Sequence, residues 1–136
     1  MNGELVLRNM KLEELHELIF EKDIRILNLN TNKISYIPEE ISKLRGLKAF
    51  YVNQNNLERL PNSLAALDSL ETIEAQHNKL SDFVPFQRPF FKSLHYLDLS
   101  TNLISQVPIS ILRIPKLRTL MLSYNRLTDV EVLWNE

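Results

Sequence analysis

The side chains of this chain with chemical potential are three histidines, seventeen carboxylates and a scatter of serines. The tightest grouping is His95, Asp98 and Ser100. A base, a carboxylate to orient it and a hydroxyl are the parts of an acyl-transfer triad. Asp98 and Ser100 share a face of one extended segment, but His95 has the opposite parity. No nucleophile elbow with its oxyanion-hole segment accompanies the serine. Glu74, His77 and Asp98 form a second grouping with donor atoms a divalent cation accepts. Two carboxylates and a separated imidazole on a flat sheet make a weak cage. Gly3 and Gly46 are the only glycines, so no glycine-rich phosphate loop can form. The absence of cysteine removes disulfides, thiolate ligands and cysteine nucleophiles. The expectation is a protein without catalytic residues, metal or cofactor.

The elements that position these residues are read most clearly from Leu94 to Lys116. This stretch runs Leu94-x-x-Leu97-x-Leu99-x-x-Asn102-x-Ile104-x-x-Val107-Pro108-x-x-Ile111-x-x-Ile114. Alternation around Leu97 and Leu99 predicts a short half-buried strand. Pro108 suits the first residue of a helical turn, because its φ is preset and its missing N–H is not needed there. Asn102 sits among positions that all want burial. A buried amide is tolerated only when hydrogen-bonded, and the bend leaving the strand supplies backbone partners.

The same template recurs with starts at Ile24, Leu47, Leu70, Leu94 and Leu117, spaced 23, 23, 24 and 23 residues apart. Its polar position is Asn32, Asn55, Asn78, Asn102 and Asn125. A period in the twenties with this Leu/Asn framework resembles the leucine-rich repeat family over residues 24–130. The Ile-Pro and Leu-Pro pairs after the ladder segment are similar to the intracellular Ras-associated type and to short bacterial leucine-rich repeat proteins. The resemblance implies an α/β solenoid: a leucine-rich repeat arc with a parallel sheet on the concave face and short helical turns on the convex face. It also implies that the asparagines are a structural ladder between successive turns.

The predicted organisation is one domain over residues 1–136. Residues 1–23 form a degenerate amino-terminal capping repeat, with Met10 in the ladder position and a helix over Lys11–Phe20 that leaves His16 at the surface. Residues 24–116 are four full repeats. Residues 117–136 are a partial repeat in which Val130, Leu133 and Trp134 fold back as a minimal cap, or else leave an end open to self-association. The third repeat is irregular: VPFQRPFFKS carries two prolines and one extra residue. The prolines predict an extended or irregular segment over Phe83–Phe91. Phe86 or Phe90 must fill the place Leu64 holds one repeat earlier. A convex aromatic contact patch is the alternative use of these rings.

Outward positions of the strands then form columns that no requirement of the fold explains. The column between the two strand leucines is Val6, Asn28, Tyr51, Glu74, Asp98 and Met121; the one before is Glu4, Ile26, Ala49, Thr72, Tyr96 and Thr119. Beyond the strands follow Arg8, Asn30, Asn53, Gln76, Ser100 and Ser123, then Asn9, Thr31, Gln54, His77, Thr101 and Tyr124. The candidate protein-binding residues are Ile26, Asn28, Tyr51, Asn53, Glu74, Gln76, His77, Tyr96, Asp98, Met121 and Tyr124, with the tyrosines as anchors. Adjacent Glu74 and Asp98 predict an acidic centre suited to a partner with a basic segment. The expected role is a protein–protein interaction module in scaffolding, signalling or host interaction. The alternative is the recognition domain of a larger enzyme such as a ubiquitin ligase or kinase. A net charge of −1 gives no electrostatic case for nucleic acid or an anionic membrane. No apolar run is long enough to span a bilayer. Without cysteines or a visible signal segment the expected location is intracellular (cytoplasmic), with bacterial secretion lacking a visible signal as the second option.

Overall fold

The computed structural model describes residues 3–87 and 91–128. Each repeat contributes a three-residue strand: β1 (Glu4–Val6), β2 (Ile26–Asn28), β3 (Ala49–Tyr51), β4 (Thr72–Glu74), β5 (Tyr96–Asp98) and β6 (Thr119–Met121). Strands this short are not stable alone. They persist because each pairs in parallel with its sequence neighbours, in the order β1-β2-β3-β4-β5-β6 and without a register slip. The middle residue of each strand faces the core. Leu27, Phe50, Ile73 and Leu97 are fully buried, while Leu5 and Leu120, at the two ends of the stack, are half-buried.

The asparagine ladder joins the turns as the repeat pattern predicts. Asn78 Oδ1 accepts the Leu57 N–H at 2.9 Å, and its Nδ2 donates to the Val52 carbonyl at 2.9 Å. Asn32, Asn55, Asn102 and Asn125 make the equivalent links. Each amide thus satisfies a donor of the preceding repeat and an acceptor at the end of its strand.

The convex elements are tighter than expected. Glu39–Lys43, Asn62–Ala66 and Ile109–Arg113 are five-residue 3-10 turns and not α-helical ones. Pro38, Pro61 and Pro108 precede these turns in extended conformation, and their carbonyls accept the first i+3 bond, as in Ile41 N–H to Pro38 O at 3.1 Å. In the third repeat the turn shrinks to Val84–Phe86. Phe86 takes the place of Leu64: it is buried, stacked on Phe91 with centroids 5.0 Å apart, and edge-on to Phe83 at 6.0 Å. Phe83, Phe86 and Phe91 are therefore core rings, not a convex contact patch; Phe90 lies outside the described residues.

The expected helix over Lys11–Phe20 is not formed; only Glu17–Glu21 makes a 3-10 turn. The cause is upstream. The Leu12 N–H is held by Asn32 Oδ1 at 3.0 Å, and its carbonyl accepts from Lys33 N–H at 2.7 Å. Both groups are committed sideways to the next repeat and cannot enter an i+4 ladder. His16 is exposed as expected, and its Nδ1 accepts the Leu18 N–H at the start of the turn. The carboxyl-terminal cap of Val130, Leu133 and Trp134 lies outside the described residues. Among the described residues no helix is long and apolar enough to cross a membrane.

Candidate functional site

Strand alternation sends the residues on either side of each buried centre to the concave face. The parallel register aligns them as columns: Val6, Asn28, Tyr51, Glu74, Asp98 and Met121 in one, and Glu4, Ile26, Ala49, Thr72, Tyr96 and Thr119 in the other. Tyr51, Glu74, Tyr96 and Asp98 thus meet on β3, β4 and β5. Burial, then the Glu74 carboxylate, holds the Tyr51 hydroxyl above the ordinary tyrosine pKa. Burial, then Asp98, then Glu74, does the same for Tyr96. Each effect is the one expected when a neutral phenol lies near a carboxylate in a partly dehydrated site.

The two carboxylates differ in how they are held. Glu74 is half-buried, and its Oε1 accepts from Asn53 Nδ2 at 3.1 Å. Asp98 is 4% exposed. Its Oδ1 accepts the Ser100 N–H at 3.0 Å and its Oδ2 accepts from Gln76 Nε2 at 2.7 Å. The acidic centre expected from the column is therefore mainly Glu74, with Asp98 enclosed by amides.

These bonds belong to a second ladder that crosses the concave face. Asn28 Oδ1 accepts the Asn30 N–H at 3.0 Å, Asn30 Oδ1 the Asn53 N–H at 2.8 Å, and Asn53 Oδ1 the Gln76 N–H at 2.7 Å. The expectation that the fold requires none of the outward side chains is corrected here. Asn28, Asn53, Gln76 and Asp98 bind the ends of the strands, and Asn30, outside the candidate set, is part of the same chain. A repeated amide at one register position in successive repeats was the sequence signal for it.

One residue before each ladder position, Met10 included, the backbone is left-handed. Asn9, Thr31, Gln54, His77, Thr101 and Tyr124 all have φ between 53° and 59°. The reversal turns the chain out of the strand and throws these side chains to the rim. His77 is exposed, and Tyr124 is 86% exposed. His77 therefore stands apart from the Tyr51–Tyr96 cluster, and Tyr124 lies at the far rim. Ile26 is half-buried on β2, and Met121 is exposed on β6. His95 faces the strand-start edge in company with Lys48 and Glu71, away from the buried Asp98 and Ser100. Among the described residues no three His, Asp or Glu side chains converge as a metal ion would require.

A leucine rich repeat family model matches residues 24–80. Among curated proteins, the chain is 32% identical over 127 residues to a probable inactive serine/threonine-protein kinase, roco10, of Dictyostelium discoideum, covering 89% of this chain and 5% of the kinase. Among solved structures, it resembles the LRR ectodomain of the receptor kinase SOBIR1 of Arabidopsis thaliana, with TM-score 0.74 and 24% identity over 90% of this chain and 69% of that one. It also resembles a plant peptide hormone receptor, RGFR1, in complex with RGF2, with TM-score 0.66 and 27% identity over 75% of this chain and 17% of the receptor. The chain thus spans a small part of the curated relative it matches. With six in-register strands, a ladder asparagine after five of them and these matches, the chain belongs to the leucine-rich repeat family.

Proposed function

We propose that the concave face recognises a protein partner and that Tyr51, Glu74 and Tyr96 grip a basic segment of it. Leucine-rich repeat folds are typical protein–protein interaction modules, and the hormone receptor with its bound RGF2 is one instance. The observation that carries the reading is that the parallel register sets Glu74 beside Tyr51 and one strand from Tyr96, while a hydrogen bond from Asn53 Nδ2 steadies its carboxylate. An ammonium or guanidinium set between the two tyrosines meets aromatic faces and a carboxylate together. Ile26, Met121, His77 and Tyr124 supply a rim of adaptable contacts. Scaffolding, signalling and host interaction all use such a surface, and the lack of cysteine favours an intracellular setting.

A second reading is the recognition domain of a larger enzyme such as a kinase or ubiquitin ligase. It is supported by the much longer relative named a probable inactive kinase, of which this chain spans 5%. Self-association through the carboxyl-terminal end, around half-buried Leu117, Leu120, Leu122 and Leu127, completes the partner reading. Sedimentation over a concentration series tests that part. For the concave face, the chain with Tyr51→Ala and Tyr96→Ala is used to capture partners from native cells beside the unchanged chain. Loss of the captured protein in the variant, and weakening with salt, are the expected results. A partner retained by the variant at all ionic strengths would overturn the assignment.

A further inference from the structure

The strand-start edge of the concave face holds a second feature, outside the tyrosine cluster. A cleft of about 410 Å³ opens there, and Arg25, Lys48 and Ala49 are among the residues that line it. Thr72 and His95 continue the lining, and Glu4 and Glu71 bound it along the row of strand starts. Arg25 and Lys48 precede neighbouring strands, so their backbones are about 4.8 Å apart. Like charges set side by side oppose pairing. The fold does not ask for them, since the same column carries Gly3, Glu71 and His95 as well as Arg118 at its far end. Neither cation forms a salt bridge with a described residue.

The site is held in shape before any ligand arrives. The Gly3 carbonyl accepts the N–H groups of Arg25 and Ile26, and the Arg25 carbonyl those of Lys48 and Ala49. This doubled bond repeats at each strand start and fixes the spacing of the column. Gly3, with φ +93°, also makes room for the arginine: a Cβ there would lie 3.2 Å from Arg25 Cγ. Ala49 is the smallest residue of its column, which otherwise reads Glu4, Ile26, Thr72, Tyr96 and Thr119. The face is therefore lowest at Ala49, next to Lys48 and between Ile26 and Thr72 of the neighbouring strands.

We infer that this cleft is a carboxylate subsite, taking an aspartate or glutamate side chain from an acidic position of the partner. Arg25 offers a planar fork to both oxygens and Lys48 a point charge beside it. Glu71 ends the basic stretch, so the cleft holds one carboxylate at a time. The inference deepens the concave-face reading and rests on it. The level of Lys48 is three residues along the strand from that of Tyr51, about 10 Å. A partner that fills both places carries an acid and a base separated by about that distance.

The test titrates the isotope-labelled chain with an acetylated, amidated hexaglutamate peptide and, separately, with hexalysine. Hexaglutamate is expected to move the amide resonances of Arg25, Lys48 and Ala49. Arg25→Gln with Lys48→Gln should weaken it roughly tenfold at unchanged melting temperature. No shifts, shifts centred on Lys33, Lys79 and Arg126 of the opposite flank, or equal affinity of the double variant would overturn the subsite. Hexalysine reports on Glu74 and the tyrosines instead. Its failure alone counts against the basic-segment reading, and failure of hexaglutamate alone counts against this inference.

Discussion

Replacing Asn102 by alanine isolates what one rung of the ladder contributes. The side chain is 5% exposed and makes four hydrogen bonds: Oδ1 accepts from Leu80 N–H at 2.9 Å, and Nδ2 donates to the carbonyls of Ala75, Leu99 and Ser100 at 2.9, 3.0 and 3.1 Å. Not all four groups are stranded by the change. The Leu99 carbonyl keeps Asn125 Nδ2, the Ser100 carbonyl keeps the His77 N–H, and the Ala75 carbonyl keeps Asn78 Nδ2 at the longer 3.3 Å. The Leu80 N–H is left with no other described acceptor. One orphaned buried donor costs about 1–3 kcal/mol, and the lost bonds to shared carbonyls add roughly another 1 kcal/mol. For a chain of this size that total lowers Tm by about 7–14 °C. Thermal and urea unfolding of Asn102→Ala, with exposed Asn56→Ala as control, measures it. Asn125→Ala should cost less, because that rung is only half-buried and water can replace its amide. Equal Tm for the wild type and Asn102→Ala would refute the burial argument.

Three further outcomes follow from the same geometry. Thr101 is β-branched with φ 54°, so Thr101→Gly should raise stability by about 0.5–1 kcal/mol after the glycine's own entropy cost; a lower Tm would show that the rim turn is not strained. Phe86→Ala empties a fully buried ring stacked on Phe91 and should cost about 3–5 kcal/mol by urea unfolding, with Phe86→Leu well below that. Tyr51 and Tyr96 have raised pKa values in the folded chain, so the folded state holds their protons more tightly than the unfolded chain does. Their contribution is fully present below the unfolded tyrosine value near 10 and is lost as pH rises through the folded values. Tyrosinate absorbance should titrate later in the folded chain than in urea, and Glu74→Gln should narrow the gap.

The sequence displayed the strands and the asparagine ladder plainly because both depend on residue type at fixed spacing. Leucine or its equivalents are needed wherever a strand centre enters the core, and a primary amide offers an acceptor oxygen and a two-hydrogen donor together at the bend. The amino-terminal segment misled for a definable reason. Leu12, Leu15 and Ile19 are the counterparts of Ile34, Ile37 and Ile41 one repeat later, and their three- and four-residue spacing coincides with a helical face. The core contacts were legible, but the backbone between them was not. The left-handed rim was hidden more deeply, since Asn9, Thr31, Gln54, His77, Thr101 and Tyr124 share no property and include no glycine. There the path of the solenoid imposes the conformation on whatever residue occupies the position.

Glu74 and Asp98 carry the consequence of the second ladder for function. Both occupy one column, both are acidic, and from the sequence they are interchangeable. In the folded chain Asp98 closes a local turn onto the Ser100 N–H and anchors Gln76, whose own N–H is held by Asn53. Replacing Asp98 therefore releases a buried N–H and loosens β4 against β5, a change in the platform itself. Glu74 is tied by a single side-chain bond at the end of the same chain of amides. Its charge can be altered while the strands keep their partners. A charge reversal at both positions would confound unfolding with lost recognition, whereas Glu74→Gln alone separates them. The same division applies across the face: side chains committed to backbone groups set its geometry, and those left over, Tyr51, Glu74, Tyr96 and the Arg25–Lys48 cleft, are where selectivity can differ without rebuilding the solenoid.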